Sequence, residues 1–141
     1  SGAGACFHKV VSILLKDPRI KLDLNPFTYS VLLKEIDISP AVTKIEPQAF
    51  QFCTVLEKVT FSSSVKSIGN SSFLNCVSLK QILIPSSVTE IGEKAFEHCS
   101  SLSQVSILSD LQEINNSCFC KAKSLKQINI PASCKRIGQY A

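Results

Sequence analysis

The chain has 141 residues, of which 45% are hydrophobic and 18% charged, with a formal net charge of +4 at pH 7. That apolar content is enough for a continuous core and argues against disorder, and no apolar run approaches the length of a membrane-spanning helix. The 15 basic residues are spread along the chain, Trp is absent and Tyr occurs only twice, so the basic stripe with interleaved aromatics expected of a nucleic-acid binder is missing.

The first element in chain order reads as helical. Phe7, Val10, Val11, Leu14 and Leu15 recur at helical spacing, and Asp17-Pro18 stops the pattern. Residues 1–19 are therefore read as an N-terminal segment that caps the rest of the chain; with His8, Lys9 and Lys16 on it, a membrane-surface or partner-binding helix is the sharper alternative. The chain opens Ser1-Gly2 without Met and shows no secretory signal, which leaves the compartment open.

From Leu33 the chain repeats every 23 residues with no insertion or deletion. Position one is Leu33, Leu56, Leu79, Leu102 and Leu125, and position four is Ile36, Val59, Ile82, Val105 and Ile128. Position six is Ile38, Phe61, Ile84, Ile107 and Ile130; position ten is Val42, Val65, Val88, Leu111 and Cys134. Position thirteen is always Ile, and position eighteen is Phe50, Phe73, Phe96 and Phe119. Leu22 and Phe27 fall in the Ile and Phe columns, so residues 20–32 read as the back half of a worn repeat. A fixed period of this length marks stacked units, each unable to bury its apolar face alone.

Within each coil, positions one to six alternate as a half-buried, β-branched strand. Ser/Pro turn chemistry comes next, as in Pro85-Ser86-Ser87. The pair at positions ten and thirteen is too short for a full strand and reads as an extended rung on a second face. The next column holds Gly69, Gly92, Gly138 and Asn115, residues that take positive φ cheaply, so a left-handed residue is expected there. Glu46-Pro47 breaks that column, and the first coil is expected to turn differently. Stretches such as Glu93 to Cys99 read as one short helical turn. The small Ala49, Ser72, Ala95, Cys118, Ala141 column marks close coil contact, and the Phe column a core ladder.

With these columns laid out, the stretch from Leu79 to Ser101 closely resembles the BspA-like leucine-rich repeat, a 23-residue class of bacterial and protist surface proteins. The resemblance covers residues 20–141: one degenerate half repeat, four full repeats and one truncated repeat. It implies an α/β repeat solenoid, a right-handed arc with parallel strands on its inner face and short helical turns. It also implies adhesion or protein binding at a cell surface, with a cytoplasmic setting as the alternative. Glu46-Pro47, Asp110 in a Ser column and Ala122 in the Cys column depart from the pattern.

The seven cysteines (Cys6, Cys53, Cys76, Cys99, Cys118, Cys120 and Cys134) are all expected to be unbridged. Cys53, Cys76 and Cys99 stack at about the 4.8 Å strand spacing with parallel side chains, whereas a disulfide wants converging Cβ atoms nearer 3.8 Å. A line of thiols cannot surround a tetrahedral metal either. Cys134 is placed in the core, and Cys120 is expected to be the most exposed thiol. His98 beside Cys99 diverges from it on any helical turn, and no triad, paired carboxylates or phosphate loop is present, so no catalytic site and no cofactor are expected. Asn70-Ser71-Ser72 and Asn115-Asn116-Ser117 are formal glycosylation sequons, read here as caps of short helical turns.

The functional expectation is a non-catalytic binding module for a protein or glycan, using outward strand positions. The candidate residues are Lys58, Thr60, Lys80, Gln81, Leu83, Gln104 and Ser106, with Leu83 central because it is the single apolar residue among Asp37, Thr60, Ser106 and Asn129. The rival reading is a structural spacer or intracellular scaffold attached to another domain. The last coil stops one residue short of its Phe, so the chain reads as a fragment of a longer array, with an uncapped edge of Leu125, Ile128 and Ile137 open to self-association.

Overall fold

A computed structural model describes residues 33–141; the expected cap at 1–19, the half repeat at 20–32 and Cys6 lie outside the described residues. Nine short strands recur with the repeat: β1 (Glu35–Asp37), β2 (Lys44–Ile45), β3 (Lys58–Thr60), β4 (Ser67–Ile68), β5 (Gln81–Ile84), β6 (Glu90–Ile91), β7 (Gln104–Ile107), β8 (Glu113–Ile114) and β9 (Arg136–Ile137). All pairing is parallel and in repeat register, as in Glu35 with Lys58 and Gln81 with Gln104. Each coil thus has three walls: a strand wall (β1, β3, β5, β7), a second wall of two-residue rungs (β2, β4, β6, β8, β9), and a turn wall closing the circuit.

The period predicts the core correctly. Leu33, Leu56, Leu79 and Leu102 are fully buried, as are Phe50, Phe73 and Phe96, while Phe119 retains 8% exposure. Their rings stack with centroids 5.2, 5.2 and 5.5 Å apart and planes within 12° of parallel. The small column is buried at Ala49, Ser72, Ala95 and Cys118. The last coil is looser: Leu125, Ile128 and Cys134 are half-buried and Ile137 is 60% exposed. The core placement expected for Cys134 is corrected accordingly: its coil carries no strand on the strand wall and leaves the thiol partly open.

The expected helical turns are absent among the described residues, and hydrogen bonding gives the reason. On the turn wall, alternate amides point in different directions. In the second coil Ser72, Leu74 and Cys76 donate three residues back, to Gly69, Ser71 and Phe73, while Ser71, Phe73 and Asn75 donate to Glu93, Ala95 and Glu97 of the next coil at 2.8–2.9 Å. A helix sends every amide along its own axis, so a backbone that gives half of them to its neighbour cannot be one. The wall is an inter-coil ladder made of turns.

This ladder also moves the left-handed residues. None of the described glycines has positive φ; instead Gln48, Ser71, Lys94, Ser117 and Tyr140 do, together with Phe52, Asn75, His98 and Lys121. The expectation of left-handed glycines is overturned, and so is that of a different first turn, since Gln48 and Phe52 repeat the geometry of every later coil. Such residues cost about 1–2 kcal/mol each away from glycine, offset here by the ladder bonds that the geometry permits. The glycines serve close approach. A Cβ on Gly69 would lie 2.6 Å from Pro47 N and 2.8 Å from Ile45 O, and one on Gly92 2.5 Å from Asn70 N.

Two seams interrupt the walls. The strand wall splits into β1–β3 and β5–β7, and the second wall into β2–β4–β6 and β8–β9. At the second seam, Asn115 stands in the glycine column. Gly69, Gly92 and Gly138 each donate their backbone N–H to the Ile carbonyl of the preceding coil at 2.8 Å; at Asn115 the side-chain Nδ2 donates to Ile91 O instead, at 2.6 Å. The Cβ holds the backbones apart, and the amide side chain bridges the gap.

Candidate binding face

Alternation in the strands sends positions four and six inward and leaves positions two, three and five outside. Ile82 and Ile84 are buried while Gln81 is exposed and Leu83 is 53% exposed. Across the first seam this face sinks into a groove of about 350 Å³ lined by Lys58, Thr60, Gln81, Leu83, Gln104 and Ser106, with Val59, Phe61, Ile82 and Pro85 completing it. Six of the seven residues chosen from the sequence are thus brought together. Lys80 is not part of the lining; its ammonium lies 3.7 Å from a Glu57 carboxylate oxygen.

Phe61, Pro85 and the neighbouring Leu108 were missed by sequence reasoning, although Phe61 and Leu108 depart from their columns. Phe61 is the single aromatic in a column of isoleucines. It is half-buried, and its ring meets Phe73 edge-on at 5.9 Å. Leu108, 60% exposed, replaces the Ser or Pro of its column. The bulk of Phe61 accounts for the seam: a ring in a column spaced for isoleucine keeps the adjacent backbones from closing, and the remaining backbone bond there, Lys80 N–H to Glu57 O, is long at 3.5 Å.

Charge is distributed less evenly than a scan along the chain suggests. After Glu113 the chain has no acidic residue but carries Lys121, Lys123, Lys126, Lys135 and Arg136. The formal excess of positive charge therefore lies in the stretch from Lys121 to Arg136, across the end of the fourth coil and the last one. Arg136 is tied down by Glu113 Oε2 at 2.9 Å and Asn115 Oδ1 at 3.3 Å.

The thiols are arranged for packing. All six described cysteines are unbridged. Cys76 and Cys99 donate S–H to Phe50 O and Phe73 O at 3.1 and 3.2 Å. Burial pushes the Cys99 and Cys118 thiols up to about 12, and Cys76 also rises through burial and its stacked neighbours Cys99 and Cys53. The thiolate is the nucleophilic form, so burial works against Cys99 as a nucleophile beside His98. Cys120 is partly exposed as expected, but Cys134 matches it. Among the described residues no group of three His, Cys, Asp or Glu side chains could hold a metal, and no helix is long and apolar enough to cross a membrane.

The sequon asparagines cap no helix. Asn70 Oδ1 accepts from the Glu93 N–H of the next coil at 2.9 Å, and Asn115 Nδ2 is committed to Ile91 O. Both stitch coils together.

A parallel-strand solenoid with this 23-residue period is a leucine-rich repeat architecture. The chain belongs to the BspA type leucine rich repeat family, whose repeat matches residues 21–141 in six copies. It is similar to a solved leucine-rich repeat protein from Bacteroides ovatus (32% identity, TM-score 0.62, covering 84% of this chain and 37% of that one). It is also similar to one from Eubacterium ventriosum (26%, TM-score 0.65, 79% and 30%). A leucine rich cell surface protein from Faecalibacterium prausnitzii matches at 29% identity and TM-score 0.57, over 76% of this chain and 35% of that one. The chain therefore spans 30–37% of the length of these proteins. No curated protein matches it.

Proposed function

We propose that this chain is a non-catalytic protein-interaction module that binds through the outward positions of its strand wall, the inner face of a right-handed arc. The observation that carries the reading is Leu83: a large apolar side chain, 53% exposed, set among polar neighbours over a groove. An apolar residue within a polar ring is the usual composition of an interface hot spot. The polar residues around it, mixed in sign across the wall, suit a protein surface better than a lipid one. Similarity to a leucine rich cell surface protein supports adhesion at a cell surface as the setting, within a longer protein.

The test is an array of folded proteins probed with the labelled chain. Specific binders that are lost with Ser106→Arg or Lys126→Glu, at unchanged melting temperature, support the reading. Binding that ignores both substitutions, or no specific binder at all, favours a structural spacer.

A further inference from the structure

The groove exists because two residues leave their columns together. Phe61 is the aromatic among isoleucines and Leu83 the apolar residue among polar ones, and both line the cavity at the seam between β3 and β5. Neither is needed for the repeat, since the other coils do without them. They place a mostly apolar floor and wall under a polar rim at one point of the array.

We propose that this groove is an anchor pocket for an extended peptide segment in which a large apolar residue is accompanied by an acidic one. The apolar side chain seats against Phe61 and Leu83, and the carboxylate reaches Lys58. This deepens the strand-wall reading and rests on it. Size comes first: about 350 Å³ lies at the small end of ligand pockets, room for one or two side chains and far too little for the surface of a folded domain. Charge comes second. Lys58 is the one charged residue lining the groove, and it forms no ion pair with a described residue, whereas Lys80 is held by Glu57. Its register partner on β1, Glu35, lies on the side away from the groove. Hydrogen bonding comes third: Gln81 and Gln104 line the same groove, and each offers both a donor and an acceptor to a passing main-chain amide.

The probe is a phage-displayed random heptapeptide library selected on the immobilised 141-residue chain, followed by anisotropy titration of the labelled consensus peptide. The expected result is enrichment of a large apolar residue with Asp or Glu within three positions. Leu83→Asp should weaken the peptide at least tenfold, and Lys58→Glu should weaken it similarly while turning the preference toward basic peptides. Phe61→Ile, which restores the regular residue of its column, should close the groove and abolish binding at an unchanged melting temperature. Should Phe61→Ile destabilise the chain, the exposed positions Leu83 and Lys58 still decide. No enrichment, an enriched peptide indifferent to both Leu83→Asp and Lys58→Glu, or a glycan-array hit at this groove in place of any peptide would overturn the proposal. Folded-protein binders sensitive to Ser106→Arg but untouched by Leu83→Asp and Lys58→Glu would sink the pocket and leave the strand-wall reading standing.

Discussion

The turn wall and the strand wall are built from the same repeat and behave differently. On the turn wall the inter-coil bonds run without interruption, from Gln48 N–H to Asn70 O in the first coil to Phe119 N–H to Ala141 O in the last, backed by the stacked phenylalanines. On the strand wall the ladder stops after two coils and starts again. Coil three pairs with coil four there, whereas its ties to coil two run through the second wall and the turn wall. The difference teaches where this solenoid keeps its mechanical spine: on the irregular side, leaving the regular strands free to carry a groove. A split in a wall that holds nothing else together would separate the coils; here the turns hold them.

Four groups of measurements would break or sharpen that contrast. The largest effect is expected at the spine. Phe96→Ala empties a fully buried site between two stacked rings and should cost roughly 3–5 kcal/mol. Phe61→Ile, on the strand wall, should cost less than about 1.5 kcal/mol. Urea melts that give equal losses for the two would show that the walls share the load.

Gly92→Ala comes next. Its Cβ would meet backbone atoms, Asn70 N at 2.5 Å and Gly69 C at 2.8 Å, which cannot rotate away, so a loss of about 1–3 kcal/mol is expected. Asn115→Gly exchanges a side-chain bond for a backbone one in the same column and should be nearly neutral. Thermal melts of the pair measure the tightness of closed and open seams directly.

Alkaline pH probes the thiols behind the turn wall. Their folded-state values lie above the ordinary 9.0, at about 12 for Cys99 and Cys118, so the unfolded chain ionises first. Stability from these groups is complete below about pH 9 and is lost as the pH climbs toward 12, on the order of 1 kcal/mol per thiol at pH 10. Denaturant midpoints should therefore fall between pH 9 and 11. Cys118→Ala, which places the column's usual residue there, should make that fall shallower. In the native state a thiol reagent should label Cys120 and Cys134 well before Cys76, Cys99 or Cys118; rapid labelling of Cys76 would show that the spine opens.

The smallest effect belongs to the Lys80–Glu57 pair, which bridges the strand seam at 3.7 Å with both side chains more than half exposed. Glu57→Gln should change stability by less than about 1 kcal/mol. A larger loss, vanishing in high salt, would mean that the seam is clasped by charge.

The columns made much of this legible in advance. Inward Leu, Ile and Phe, the two-residue rungs of the second wall, the unbridged stacked thiols and the outward Leu83 all come from residue type and period alone. Phe61 was equally visible as a departure, yet its consequence was not, because the width of a seam depends on how two neighbouring backbones meet. The helical expectation for Glu93 to Cys99 failed for a related reason: a seven-residue stretch with Ala and Phe at helix-like spacing looks the same whether its amides go back along the chain or across to the next coil.

The sequence by itself determined the repeat, its inward and outward faces and the register in which coils stack, since a fixed 23-residue period with apolar columns can bury its core in only one alignment. Only the tertiary structure decided which residues turn left-handed. Intrinsic preference favours Gly69, Gly92 and Gly138, but those positions are consumed by close backbone approach. Phe52, His98 and Lys121 take positive φ; at Phe52 and His98 the next coil offers a carbonyl, Leu74 O and Cys120 O, at 2.8 Å. An inter-coil hydrogen bond repeated along a wall outweighs a local preference that each residue, read alone, would obey.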